Sequence, residues 1–157
     1  MYQTILLAYN GTREGRLALR EGAEIAKACR TATHLLAVVS ATSVVSLGEG
    51  FDTGHLVSEE VARYQEILDE GVALLRGHGL TAEGHLAQGE PSERIAAMAR
   101  ALKADLIVVG HRNRSRFARW WQGTSLSASL LEQSPCSILV TIAGEDIARA
   151  PDAPAAS

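Results

Sequence analysis

The stretch PSERIAAMARALKADLIVVG, residues 91–110, decides the fold. Its first half places apolar side chains at Ile95, Met98, Ala99 and Leu102, the spacing of one helix face. Pro91 suits the first helical position, where its missing N–H has no intrahelical partner to lose. After Asp105 the pattern changes to LIVV, apolar at every residue, and Gly110 ends the run. A helix feeding a strand that is apolar on both sides is the unit of a parallel sheet covered on both faces.

Outward from this unit the same alternation recurs. Residues 4–9 (TILLAY) and 35–39 (LLAVV) read as buried strands, residues 80–88 as a more exposed third strand, and 138–142 as the last. Residues 13–30 predict a helix with Ala18, Gly22, Ile25 and Cys29 on one stripe. A longer helix is expected over 58–76, with Val61, Tyr64, Leu68, Val72 and Leu75 inward and Gly77 and Gly79 as its stop. A fourth spans 123–133 on Leu126, Leu130 and Leu131. The pattern predicts one doubly wound α/β domain over residues 1–143. The tail 144–157, rich in Ala, Pro and Asp, is expected to be mobile. Residues 40–57 form an unusually long connection, a length found in functional loops and in surface insertions alike.

Composition narrows the function. A chain of 157 residues makes one domain that buries roughly two-thirds of its unfolded surface. With 46% hydrophobic and 21% charged residues it is globular in composition, and its net charge of −3 lacks the basic field that nucleic-acid or membrane-surface binding needs. No apolar run approaches the ~20 residues of a membrane span. The opening MYQTILLAYNGT has neither the charged nor the long apolar region of a secretion signal. Cys29 and Cys136 form no CxxC pair, so a reduced cytoplasmic compartment is expected, with both thiols as packing residues. The histidines at 34, 55, 78, 85 and 111 have no ligand spacing with one another or with cysteine, which speaks against zinc.

Open α/β sheets bind ligands beyond the carboxyl ends of their strands. Two loops stand there: Asn10-Gly11-Thr12 after the first strand, and residues 110–122 after the fourth. The second holds Arg112, Arg114, Arg116, Arg119, Trp120 and Trp121, and it runs into Gly123-Thr124-Ser125 at a helix start. Free N–H groups and the positive dipole end make such a start an anion site, with hydroxyls able to donate to phosphate oxygens. The same three residues also serve as an ordinary cap. The arginines can neutralise a triphosphate or form a solvated surface, and the tryptophans can stack on a base or anchor the loop. Neither a GxxxxGK[ST] nor a GxGxxG pattern occurs. Asn10 and Thr141 stand where a response-regulator receiver would want an acidic cluster and a lysine. His111 has no nucleophile partner in sequence, so no catalytic residue is assigned and an enzyme is not expected beyond slow incidental ATP hydrolysis.

These residues also carry a family likeness. Residues 89–140, GEPSERIAAMARALKADLIVVGHRNRSRFARWWQGTSLSASLLEQSPCSILV, closely resemble the second half of universal stress proteins, and ILLAYNGT resembles their opening, which usually ends Asp-Gly-Ser. The resemblance runs to about Ile142. It implies a five-stranded parallel sheet ordered 3-2-1-4-5, and a homodimer. The nucleotide-binding branch carries G-x2-G-x9-G-[ST] after the fourth strand. Here Gly110, Asn113, Gly123 and Thr124 occupy those positions, with asparagine replacing the second glycine. The resemblance implies that Ala8, Asn10 and Val38 hold the nucleoside end of ATP. Gly110, Arg112, Asn113, Gly123, Thr124 and Ser125 would hold its phosphates, with magnesium carried by the phosphates rather than by protein side chains. Asparagine tolerates positive φ better than other non-glycine residues, so Asn113 can keep the turn. Asn10 keeps a carbonyl acceptor but loses the charge of the usual aspartate. The expected function is a cytoplasmic stress-response protein that binds an adenine nucleotide and signals to a protein partner not named by the sequence. The alternative is a nucleotide-free dimerisation and interaction module of the same fold. In either case the last strand, between Ser137 and Ile142, is a sheet edge whose apolar length calls for cover by a second copy.

Overall fold

The computed structural model describes residues 1–40, 53–112 and 126–143. In chain order these form β1 (Thr4–Ala8), α1 (Arg13–Cys29), β2 (Ala32–Val39), α2 (Thr53–Gly77), β3 (Ala82–Gln88), α3 (Pro91–Leu102), β4 (Leu106–Arg112), α4 (Leu126–Gln133) and β5 (Ser137–Ala143). The strands make one parallel sheet in the order β3-β2-β1-β4-β5. The strand order reverses direction between β1 and β4, so the crevice at their carboxyl ends is the topological switch point.

Each face of the sheet is buried under helices, which is why the strands need apolar residues at successive positions. Leu7, Leu35, Ala37 and Val108 pack with Ala18, Leu19 and Ala23 of α1 and Leu68 and Leu75 of α2. On the opposite face Leu6, Leu36, Ile107 and Val109 meet Ile95 and Ala99 of α3 and Leu130 of α4. Helix α1 lies close on the sheet because small residues face it. Its buried stripe is Gly15, Ala18, Leu19, Gly22, Ala23 and Ala26, while Ile25 and Cys29 of the expected stripe are only half-buried. A Cβ at Gly22 would run into the Leu7 side chain, so the glycine lets α1 lie close on β1.

Strand β3 begins at Ala82 rather than residue 80 and β5 spans Ser137–Ala143 rather than 138–142, and three further boundaries differ from the sequence reading. Strand β2 begins at Ala32, not Leu35, because Thr33 and His34 are held by pairing with both β1 and β3. Helix α2 begins at Thr53, so the end of the long connection after Ser40 is helical; residues 41–52 lie outside the described part. Strand β4 continues through Gly110 to Arg112, because β5 runs alongside it as far as Ala143. The expected tail, residues 144–157, also lies outside the described residues.

Helix ends are capped in ways the sequence allows. Thr12 Oγ1 accepts the Gly15 N–H at 3.1 Å, and Arg30 closes α1 in the left-handed conformation. Glu90 caps α3 by accepting the Glu93 N–H at 2.9 Å. At the opposite end of the sheet Asp105 joins β1 to β4, its carboxylate accepting from the N–H groups of Gln3 at 2.8 Å and Thr4 at 3.0 Å.

Candidate functional site

A cavity of about 130 Å³ opens at the switch point. Its floor is apolar: Ala8 from β1, Leu36 and Val38 from β2, Val109 from β4 and Ile95 from α3. Tyr64, Pro91 and Leu126 complete the walls, and Asn10 and Ser40 bring polar groups to the rim. Ala8, Asn10, Val38 and Gly110, four residues singled out from sequence, therefore line one cavity. Leu36, Ser40, Tyr64, Pro91, Ile95 and Leu126 were not anticipated. Ser40 and Pro91 follow β2 and precede α3, so the strand-end rule that selected Asn10 pointed to them as well.

The turn after β1 is built by its own side chains. Gly11 takes φ +77°, a left-handed conformation that a larger residue resists. Asn10 Oδ1 accepts from the Thr12 N–H at 3.1 Å and from the Thr12 hydroxyl at 2.6 Å. Because the Thr12 backbone nitrogen only donates, the atom facing it must be the carbonyl oxygen. The acceptor expected for a ribose hydroxyl or adenine amine is thus already used within the turn. What Asn10 retains for a ligand is the Nδ2 amide, a donor.

Gly110 has a packing reason to be glycine. A Cβ there would collide with the Glu14 carbonyl oxygen and lie 2.5 Å from Glu14 C and 3.0 Å from Gly15 N. The first turn of α1 rests directly on the end of β4, which brings the Asn10–Thr12 turn beside the cavity.

Helix α3 also points its amino end toward this region, but that end already holds an anion. Burial works against the charge on Glu90, yet the Ser92 hydroxyl and the Glu93 and Ser92 N–H groups outweigh it and hold the carboxyl below its ordinary value. Ser92, itself buried, also accepts from Gln133 at 3.1 Å and so ties α3 to the end of α4. An anionic ligand gains nothing from the α3 terminus. Behind the turn, Tyr9 donates to Glu70 at 3.1 Å, and Arg16 reaches the same carboxylate at 3.0 Å. Burial, reinforced by Glu70, pushes the Tyr9 phenol up, so it stays a neutral donor.

His111 approaches the Ser127 hydroxyl at 3.4 Å, longer than the ~2.6–3.2 Å of an engaged nucleophile and base. No carboxylate among the described residues orients the ring. Arg112 ends β4, and Asn113, Gly123, Thr124 and Ser125 lie outside the described residues.

In doubly wound α/β domains ligands bind in the crevice at the switch point, and in this chain that crevice holds an apolar cavity. The sequence profile of the universal stress protein family matches residues 1–141. A universal stress protein of Thermus aquaticus, from the QAH/OAS sulfhydrylase 3′ region, is 35% identical over 144 residues, covering 89% of this chain and 98% of the relative. The chain belongs to the universal stress protein family. Its fold is similar to that of a Burkholderia pseudomallei universal stress protein (TM-score 0.72, 24% identity, 90% of this chain and 97% of the other). It is also similar to the Archaeoglobus fulgidus universal stress protein solved with dAMP (TM-score 0.62, 22% identity, 88% and 97%). Two other solved relatives of similar fold are complexes, one with cAMP and one, from Arabidopsis thaliana, with AMP (TM-scores 0.68 and 0.67). No helix among the described residues is long and apolar enough to cross a membrane.

Proposed function

We propose that this chain is a stress-response module that binds an adenine nucleotide at the switch-point cavity and acts through its bound state. The observation that carries the reading is the apolar floor of Ala8, Leu36, Val38, Ile95 and Val109 beside a polar rim that includes Asn10, whose amide Nδ2 is a donor. A flat base is stabilised by burial against such a floor, and the amide donates to a ribose oxygen or a ring nitrogen. The complexes of relatives with AMP, dAMP and cAMP support an adenine ligand. With α3 occupied by Glu90, the phosphates are assigned to the motif residues Gly123, Thr124 and Ser125, with Arg112 and Asn113. That arrangement suits ATP with magnesium on its phosphates. In this reading regulation follows from the bound ligand rather than from turnover. The protein acts as a homodimer joined through β5, whose outer edge pairs with no other strand among the described residues and whose Ile142 is 59% exposed.

The commitment of the Asn10 carbonyl to Thr12 favours a second reading, a nucleotide-free interaction module. Mass spectrometry of small molecules released from denatured protein, followed by calorimetry with ATP–magnesium, AMP and cAMP, separates the two. Asn113→Gly, which restores the glycine of the family motif, is expected to tighten ATP binding about tenfold, a difference of about 1.4 kcal/mol. If neither parent nor variant binds an adenine nucleotide at millimolar concentration, the interaction module stands.

A further inference from the structure

Far from the cavity, at the amino-terminal ends of β2 and β3, three side chains with metal-binding atoms converge. The parallel register pairs His34 with Glu83 and Leu36 with His85, which sets all three groups on the α3 face of the sheet. His34 Nδ1 lies 3.0 Å from His85 Nε2 and 3.7 Å from Glu83 Oε2, and the three ligand atoms fall within 4.8 Å of one another. The rings are tilted by 32° with centroids 5.2 Å apart. Two nitrogens bound tetrahedrally to zinc at about 2.0–2.1 Å stand about 3.3 Å apart. The nitrogen pair is thus within a few tenths of an ångström of one edge of a zinc site. Glu83, with a side chain 70% exposed, is free to close the remaining edges.

We propose that His34, Glu83 and His85 form a binding site for a zinc-class divalent cation, with water in the fourth position. Two imidazoles and one carboxylate suit a borderline transition metal and not magnesium or calcium, which take oxygen ligands. The His34 side chain is only 14% exposed, so its position is fixed by the sheet before any ion arrives. In the absence of an ion the two ring nitrogens share one hydrogen bond at 3.0 Å, and a bound cation would take the place of that proton. Strand β3 is the sheet edge, so the ion reaches the site from solvent and, once bound, fastens β3 to β2. This site is independent of the nucleotide cavity.

The test is calorimetric titration of chelator-treated protein with Zn²⁺ in the absence of nucleotide, beside the visible spectrum of the Co²⁺ form. The expected result is one equivalent bound by the parent, with the intense absorption of four-coordinate cobalt. His34→Gln and His85→Gln each weaken binding by at least about tenfold, while His55→Gln and His78→Gln leave it unchanged. Metal-free melting curves check that the variants fold, and zinc should raise the melting temperature of the parent but not of His85→Gln. Absence of saturable zinc binding, equal binding by the parent and both site variants, or weakly absorbing six-coordinate cobalt in the parent would overturn the proposal.

Discussion

Replacing Gly110 with alanine should destabilise the protein with no ligand present, and the reason is backbone against backbone. The added methyl would collide with the Glu14 carbonyl oxygen and come within 2.5 Å of Glu14 C. Ordinary carbon contacts begin near 3.5 Å, so the first turn of α1 would have to retreat by roughly 1 Å. That retreat is blocked along the helix, where Gly15, Ala18, Leu19 and Gly22 are already seated on the sheet. No flexible side-chain tip is available to swing aside. Overpacking costs about 1–3 kcal/mol, and a rigid backbone on both sides places this case near ~3 kcal/mol. For a chain of this size each kcal/mol lowers the midpoint by roughly 2–4 °C, which gives a fall of about 6–12 °C.

Gly77→Ala supplies the control, since a Cβ at Gly77, the last residue of α2, meets nothing within 4 Å. The same chemical change there should stabilise by roughly 0.4–1 kcal/mol through the unfolded chain. Urea and thermal melts of the two variants without nucleotide are sufficient, and the urea slope should stay at the parent value. The reasoning fails if Gly110→Ala melts with the parent. Parent stability combined with lost ATP binding would instead show that this glycine exists for the phosphates and not for α1.

Two more outcomes are expected. At the β5 edge, Leu139 and Val140 also pack against the two cores, whereas Ile142 is mostly exposed, so Ile142→Lys is the cleaner probe of assembly. It should yield monomer with parent-like melting, and Leu139→Lys or Val140→Lys monomer or aggregate; light scattering that shows an unchanged dimer in all three excludes this interface. Burial opposes the charge on Asp105, but the amide donors of Gln3 and Thr4 outweigh it and hold the carboxyl below its usual range. Its stabilisation is therefore present above the ordinary carboxylate pKa and lost as pH falls through the lower folded value. Asp105→Asn should cost about 1 kcal/mol near neutral pH, allowing for partial exposure, and the gap to the parent should close in acid; urea melts showing a constant gap would refute this.

The strands were legible because a sheet covered on both faces demands continuous apolar runs, and TILLA, LLAVV and LIVV have no other good use in a chain this short. What sequence could not supply was phase and register. Periodicity placed Ile25 and Cys29 on the inner stripe of α1. The structure buries Ala18 and Gly22 of that stripe together with Leu19, Ala23 and Ala26, and leaves Ile25 and Cys29 half-buried at its margin. Topology pointed to the strand ends at Asn10 and Gly110 and the family likeness added Ala8 and Val38, but the cavity is also lined by Tyr64, Ile95 and Leu126, whose helices reach it only after folding.

The orientation of Asn10 lay within reach. Asparagine side chains bond the backbone two residues on, and Asn10-Gly11-Thr12 offers that partner along with a hydroxyl. Reading the turn first would have assigned the carbonyl to Thr12 and left only the amide for a ligand. The histidine pair shows the opposite limit. Ligand-spacing rules describe residues brought together by one turn or one helix, whereas His34 and His85 are 51 positions apart. Their meeting depends on β2 lying beside β3 in a register that pairs residue 34 with 83. A slip of one residue would turn His85 to the other face, since successive strand side chains alternate sides. Spacing along the chain therefore carries no information about this cluster, whereas strand order combined with register determines it.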